Sequence, residues 1–236
     1  MPDLSSLYHQ VSQMHAHLCP RQVLGVRMGT RAGLELGLTL PQAGKRLIVL
    51  VETDGCTVDG VGVATGCWVG RRTMFIFDYG KVAATFVDSQ TGQSIRIMPH
   101  PEARSNAFRH VPNAQDQWHC QLLAYQTMPD DELLAVRPVQ LNFDLAALIS
   151  DPGLRFVCRS CGEEISNGRE VGRERGDLCR SCAGDSYYLP LGTAGLVVQP
   201  DQLFPRPALV IDRRPEPDSS ALIAASLCRN SFPASM

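Results

Sequence analysis

Two groups of cysteine and histidine residues have the side chains and the spacing that metal or redox chemistry requires. In the first, the stretch MHAHLCPRQ places His15, His17 and Cys19 at alternate positions, directly before Pro20. Residues at alternate positions point to nearly opposite sides of a helix but share one face of an extended segment. An extended His-x-His-x-Cys segment could therefore direct two or three donors at one point. The alternative is a pair of solvent-facing histidines and a buried cysteine.

Pro20 provides a second reason to examine Cys19. Proline is favoured at the first helical position because it has no N–H group to leave unpaired, and the residue before a proline avoids the α region. We therefore expect Cys19 to be extended and to cap a helix that runs through RQVLGVRMGTRAGLELGL. The dipole of that helix would stabilise the thiolate form of Cys19.

A further cysteine follows the apolar segment RLIVLVET at 46–53, which we predict to be a buried strand. Cys56 lies at the predicted turn from this strand to a helix, with Asp59 nearby, and sites in mixed folds often form at such turns. If Cys56 met His17 and Cys19, the mixed nitrogen and sulfur ligands would suit Zn, Fe, Ni or Cu. These three residues are our candidate catalytic residues and the candidate ligands of a second transition metal.

The second group is the segment CRSCGEEISNGREVGRERGDLCRSC. It contains two Cys-x-x-Cys pairs separated by 17 residues, and its four cysteines are Cys158, Cys161, Cys179 and Cys182. Four thiolates at this spacing suit one tetrahedral Zn²⁺ ion. A module this short buries little core, so the metal would supply its folding energy. Its arginines alternate with acidic residues, which favours a structural or protein-contact role over nucleic-acid binding.

The composition limits the class of protein. The chain has 236 residues, of which 44% are hydrophobic and 19% are charged, and its formal net charge is −2. These values indicate a globular protein without a general attraction for nucleic acid or anionic lipid. Because its apolar runs are too short to span a bilayer and its first residues lack a signal-peptide pattern, we expect a cytoplasmic protein.

Predicted helices and strands are mixed without regular alternation, which favours an α+β fold. We expect a mixed or antiparallel sheet packed with helices, with a tight turn at Gln90–Gly92 and an edge strand at Pro138. A small zinc module of the treble-clef or zinc-ribbon kind would follow. The predicted domains are an α+β core at 1–150, the zinc module at 155–188 and an extended tail at 189–236.

Three blocks of the sequence resemble the FmdE family, which takes its name from the molybdenum formylmethanofuran dehydrogenase operon. The blocks are HAHLCPRQVLGVRMG, ETDGCTVDGVGVATGCWVGRRT and DYGKVAATFVDSQTGQSIRI, and a Cys-x-x-Cys module follows them. The resemblance covers roughly residues 5–125. It implies an α+β core, a homodimer, and an optional treble-clef zinc finger at the C-terminal end. The functional residues that it implies are His15, His17, Cys19 and Cys56, and less directly Asp59 and Cys67.

The first block departs from the family pattern His-Gly-His-x-Cys-Pro-Gly, because Ala16 and Arg21 replace the two glycines. Arg21 adds bulk and positive charge beside Cys19, which would narrow the site or favour an anionic ligand. His15, Asp59 and Arg21 are therefore our candidates for binding a cofactor.

Three functions remain open from the sequence. The first is a metal-dependent or thiol-dependent redox protein that works with a redox enzyme. The second is a non-enzymatic accessory subunit or small-ligand binder whose zinc module contacts a partner. The third, a nucleic-acid-binding regulator, is disfavoured by the near-neutral charge.

Overall fold

The computed structural model describes residues 3–149, 153–171 and 178–189, so nearly all of the predicted tail at 189–236 lies outside the described residues. No helix in these three ranges is both long enough and apolar enough to cross a membrane. The helices are α1 (Leu4–Ser12), α2 (Pro20–Leu36), α3 (Thr57–Thr65), α4 (Ala103–His110), α5 (Gln117–Thr127), α6 (Asp130–Leu133) and α7 (Leu145–Ile149). The strands are β1 (Leu47–Val51), β2 (Met74–Ile76), β3 (Ala84–Asp88), β4 (Ser94–Pro99), β5 (Leu134–Pro138), β6 (Arg155–Val157) and β7 (Glu164–Ser166).

Five strands form one mixed sheet in the order β2-β1-β3-β4-β5. β1 and β2 are parallel, and the other neighbours are antiparallel. Because helices pack on this sheet, the predicted α+β class is confirmed. Pro138 is the last residue of β5 at the sheet edge, as predicted, since proline has no N–H group to donate to a further strand.

The parallel pair fixes the place of Cys56. Parallel neighbours cannot be joined by a tight turn and need a crossover connection. Here α3 lies in the crossover from β1 to β2. The segment between β1 and α3 therefore leaves the sheet at the carboxyl end of β1, and Cys56 is its last residue before the helix.

The sheet buries a different apolar cluster on each face, because alternate residues of a strand point to opposite sides. Val49 and Val51 of β1 belong to the larger cluster with the helices, whereas Ile48 and Leu50 belong to the smaller one. The chain after β5 covers the smaller cluster. The partly buried apolar residues packed on this cluster are Phe77, which follows β2, and Leu141, Phe143, Leu145, Leu148 and Ile149 from the chain after β5.

Helices α2 and α3 pack through glycines that allow their backbones to approach closely. A Cβ atom added at Gly25 would collide with the Thr57 carbonyl oxygen and would lie 2.9 Å from the Val61 backbone nitrogen. A Cβ atom added at Gly60 would likewise collide with the Gln22 carbonyl oxygen. Farther along α2, one added at Gly29 would lie 2.7 Å from the Ala64 Cβ atom.

Later residues of α2 therefore contact later residues of α3. Gln22 lies against Gly60, and Gly29 lies against Ala64. The helices run roughly parallel, so their N-termini are at the same end of the pair. Small residues at four-residue spacing are the usual way to bring two helix backbones this close.

A buried arginine fixes the other side of α2. Arg27 is 6% exposed, and its guanidinium donates to the carbonyl oxygens of Tyr125 (2.7 Å) and Met128 (2.6 Å). It also donates to the Asp130 carboxylate at 2.6 Å. Because these partners lie in the last turn of α5 or just after it, Arg27 holds α2 against that part of the chain.

We predict that Gly25→Ala lowers the free energy of unfolding by about 1–3 kcal/mol, because the new methyl group meets backbone atoms that cannot rotate away. Helix propensity alone would act in the opposite direction by roughly 1 kcal/mol. Urea unfolding monitored by circular dichroism measures the difference. Gly44→Ala is the control, since nothing lies within 4 Å of a Cβ atom there. Equal or greater stability of Gly25→Ala would contradict the close helix contact.

Candidate functional site

Cys19 caps α2 through an unusual capping box. Its backbone is extended (φ −122°, ψ 159°), and Pro20 follows as the first helical residue, as the sequence predicts. The Gln22 backbone N–H donates to the Cys19 Sγ atom at 3.5 Å, and the Cys19 N–H donates to the Gln22 Oε1 atom at 2.9 Å. Cysteine thus occupies the position that serine or threonine usually holds in this motif.

Gln22 also anchors the cap to the rest of the core. Its side chain is fully buried, and its Nε2 atom donates to the Val11 carbonyl oxygen at the end of α1 at 3.1 Å. The Gln22 side chain therefore links the Cys19 backbone to α1 through two hydrogen bonds. We did not single out Gln22 from the sequence, although a glutamine three residues after a cap is a recognised capping-box signal.

Cys56 stands at the N-terminus of α3, where it makes no side-chain cap hydrogen bond. Its thiol lies within interaction range of the Cys19 thiol. The glycine contacts explain this proximity: Gln22 lies against Gly60, and one turn back from each of them lie Cys19 and Cys56. The structure therefore brings together two cysteines that are 37 positions apart in the sequence.

The surroundings of Cys56 favour its neutral thiol. Burial raises the pKa of Cys56, and the charge and hydrogen bonding of Cys19 raise it further. A backbone hydrogen bond lowers that pKa, and the charge of Asp59 raises it. From the sequence we expected a helix start to make a cysteine more acidic. For Cys56, desolvation and the neighbouring thiol outweigh the helix dipole.

Three polar side chains, those of His15, Asp59 and Arg21, lie beside this thiol pair. The His15 Nε2 atom is 2.8 Å from the Asp59 carboxylate, so the pair links the segment before α2 to the first turn of α3. The Arg21 guanidinium lies 3.8 Å from the position that a Cβ atom on Gly55 would occupy. Arg21 therefore flanks the turn that carries Cys56. We refer to Cys19, Cys56, His15, Asp59 and Arg21 together as the thiol site.

His17 diverges from the thiol site. Its ring lies against Trp118 at the start of α5, with the ring centroids 6.0 Å apart, whereas His15 pairs with Asp59. The chain forms bends at 15–17 rather than a regular strand, so alternate residues do not share one face. His15 and His17 therefore have different neighbours, and within the described residues they do not join Cys19 in a group of metal donors.

The predicted second metal site is not supported. Across the described ranges, the one group of three or more donors that lie within 4.8 Å of one another is the four-cysteine group. His17, Cys19 and Cys56 do not form such a group. The structure thus contains a thiol pair with a nearby His15–Asp59 pair. His17, Cys19 and Cys56 are not arranged to bind Zn, Fe, Ni or Cu together.

The four cysteines come together in one group that could hold a metal ion, as predicted from their spacing. The sulfur atoms of Cys158, Cys161, Cys179 and Cys182 all lie within 4.8 Å of one another. Antiparallel strands β6 and β7 support the first pair. Backbone N–H groups of Cys161 and Cys179 lower the pKa of Cys158 to about 6, so one thiolate is available to bind a cation at neutral pH.

Two other cysteines lie in the core rather than at either site. Cys67 is fully buried and contacts Gln42 and the Leu47 carbonyl oxygen. Cys120 is also fully buried, and its sulfur lies 3.6 Å from the Val111 carbonyl oxygen. Burial raises the pKa of both thiols, so they are poor nucleophiles. Cys228 lies outside the described residues.

A family model matches this chain, and one curated protein is similar to most of it. The family model described as "FmdE, Molybdenum formylmethanofuran dehydrogenase operon" matches residues 14–135, just over half of the chain. A curated protein of Archaeoglobus fulgidus, named "Probable S-adenosyl-L-methionine-binding protein", is 26% identical over 215 residues. That match covers 80% of this chain but only 55% of the relative, so this chain spans about half of the relative's length.

A solved structure has the same fold. It is an FmdE-like protein of the tungsten formylmethanofuran dehydrogenase type from Syntrophus aciditrophicus, which superposes with a TM-score of 0.55 at 21% sequence identity. The superposition covers 79% of this chain and 95% of that chain.

We predict that the full chain, purified without added metal, carries about one ion, held by the four thiolates. Cys161→Ser should lose this ion because it removes a ligand, whereas Cys19→Ser and Cys56→Ser should keep it. Elemental analysis by mass spectrometry measures the content. A second ion that disappears in Cys19→Ser would contradict this account.

Proposed function

The chain belongs to the FmdE family, and on that premise we propose that it is a zinc-binding protein whose thiol site performs thiol-dependent chemistry on a small ligand. The observation that carries the proposal is the meeting of Cys19 and Cys56 at the shared end of α2 and α3. Two thiols that lie together at helix N-termini experience the positive ends of both dipoles, which favour an anionic sulfur or an anionic ligand.

The two thiols have different roles in this proposal. Cys19 already accepts a backbone N–H hydrogen bond from Gln22, and such bonds stabilise a thiolate. Cys56 keeps its proton longer because its pKa is raised. Cys19 is therefore the nucleophile, and Cys56 is the neighbouring proton and hydrogen-bond donor.

The charged neighbours orient the site. Asp59 accepts from His15 and so holds the imidazole beside α3. Arg21 brings a fixed positive charge to the turn at Gly55. Together with the helix dipoles, this guanidinium favours ligands that carry a carboxylate or phosphate group.

The four-cysteine group has a structural role in the proposal, with zinc as its metal. Zinc accepts four thiolates in tetrahedral geometry and supplies the folding energy that a module of this size lacks. We further propose a homodimer and a redox-enzyme partner, with the zinc module as the docking unit. Exposed apolar residues in the module support this role, since Val157 is 64% exposed and Tyr187 is 91% exposed.

A second candidate function is the binding of S-adenosylmethionine, which the name of the Archaeoglobus relative suggests. The observation that favours it is Trp118, which is 41% exposed and lies against His17, two residues before Cys19. The ligand is a sulfonium cation, and an indole face attracts cations. In this alternative the site binds a cofactor without thiol chemistry.

We predict that iodoacetamide alkylates Cys19 at least about tenfold faster than Cys120 in the metal-bound chain, because thiolates react and buried thiols do not. Cys56 should react more slowly than Cys19, since its pKa is raised. Peptide mass spectrometry after timed quenching measures each rate. If Cys19 reacted no faster than Cys120, thiol-dependent chemistry at this site would be ruled out.

For the second candidate, we predict that the chain binds S-adenosylmethionine and that Trp118→Ala weakens binding by about 2- to 30-fold, the range expected for a cation–π contact. Leu123→Ala, an exposed position on the same helix, is the matched control and should leave the affinity unchanged. Isothermal titration calorimetry measures both. A wild-type chain that does not bind at millimolar ligand would exclude this candidate.

A further inference from the structure

We propose that Cys19 and Cys56 form a reversible disulfide and that the chain exchanges it with disulfide substrates. The inference rests on the proposed function, and it names the substrate class of the thiol site. The helix contact at Gly25 and Gly60 brings the two cysteines together across the chain, and no rearrangement of secondary structure is needed for them to meet.

The geometry of the helix pair favours a disulfide. A disulfide requires Cβ atoms about 3.5–4.5 Å apart and Cα atoms within about 7 Å. Cys19 and Cys56 are the N-cap residues of α2 and α3, so both lie at the same end of the helix pair. The Cys56 thiol interacts with the Cys19 thiol, and the helix contacts at Gly25 and Gly60 bring the two N-termini together.

The asymmetry of the pair matches the two roles in thiol–disulfide exchange. The attacking thiol must be available as a thiolate, whereas the resolving thiol acts only after the mixed disulfide has formed. Cys19 has the Gln22 N–H to stabilise its sulfur as a thiolate and as a leaving group. Cys56 makes no side-chain cap hydrogen bond to its helix, and its pKa is raised despite a backbone hydrogen bond, which suits the resolving role.

The reaction proceeds in two balanced steps. The Cys19 thiolate attacks a substrate disulfide RSSR, forms a mixed Cys19–S–S–R bond and releases one thiolate RS⁻. Cys56 loses its proton to the released thiolate and attacks the Cys19 sulfur, which forms the Cys19–Cys56 bond and expels the second RS⁻. That thiolate takes up a proton from water to replace the one that Cys19 had already lost. The protein dithiol is oxidised, and the substrate disulfide is reduced to two thiols.

The remaining described cysteines do not compete for this reaction. Cys67 and Cys120 are each fully buried and lie against backbone carbonyl oxygens. The other four lie together as the candidate metal ligands, and thiolates bound to a metal are less available for exchange. Oxidation by a small disulfide should therefore begin at Cys19.

The test uses the full metal-bound chain and oxidised glutathione as the disulfide. After incubation, free thiols are blocked with iodoacetamide, and the peptides are mapped by mass spectrometry. The expected product is a Cys19–Cys56 crosslink, with about two glutathione thiols released per chain and the metal content unchanged. Dithiothreitol should reverse the crosslink.

Single substitutions separate the two steps. Cys56→Ser should stop at a stable glutathione adduct on Cys19 and release about one thiol per chain, because the resolving sulfur is missing. Cys19→Ser should form neither the adduct nor the crosslink. Circular dichroism and metal content show whether each variant folds. If a variant does not fold, the peptide map of the wild-type chain alone decides the outcome.

Three results would overturn the inference, and they differ in what they leave of the proposed thiol-dependent function. If iodoacetamide alkylates Cys19 rapidly but no Cys19–Cys56 crosslink forms, the inference of disulfide exchange is wrong and the proposed thiol-dependent function stands. If Cys19 is alkylated as slowly as Cys120 and no crosslink forms, the inference and the proposed function are both wrong. Crosslinks confined to Cys158, Cys161, Cys179 and Cys182, with loss of the metal, would also overturn the inference.

Discussion

The close approach of α2 and α3 is the constraint on which the thiol site depends. Gly25 and Gly60 each face the backbone of the opposite helix with no room for a side chain. Backbone-to-backbone contact fixes the distance between the helices more strictly than side chains do, because side chains can change rotamer and backbone atoms cannot. The two helices also run in the same direction, so fixing their separation fixes the separation of their N-termini.

The two cysteines at these N-termini have different surroundings. Cys19 receives the Gln22 N–H hydrogen bond in a capping box, whereas Cys56 is partly buried beside Cys19 and has a raised pKa. The helix dipole is a modest effect, typically below about 1 kcal/mol at the surface. For Cys56, desolvation and the interaction with the Cys19 sulfur are larger effects than the helix dipole. Two cysteines at similar helix positions therefore differ in their chemistry.

Local features of the site were predictable from the sequence, but long-range ones were not. Pro20 alone indicated that Cys19 would be extended, and the Cys-x-x-Cys spacing indicated the four-cysteine group. The conformation of Cys19 depends on the residue next to it, and each Cys-x-x-Cys pair is also a local pattern. The direction of His17 depends on Trp118, about a hundred positions away, and no local pattern encodes that contact. The glycines at four-residue spacing in α2 were a usable signal for close helix packing, although they do not identify the partner helix.

The central claim is that the thiols of Cys19 and Cys56 are neighbours in the folded, reduced protein. A crystal structure of the chain grown under reducing conditions tests this most directly. The account predicts that the two Cα atoms lie within about 7 Å, the upper limit for a disulfide, with the sulfur atoms facing each other. Cα atoms clearly farther apart, or sulfur atoms on opposite sides of the helix pair, would contradict it.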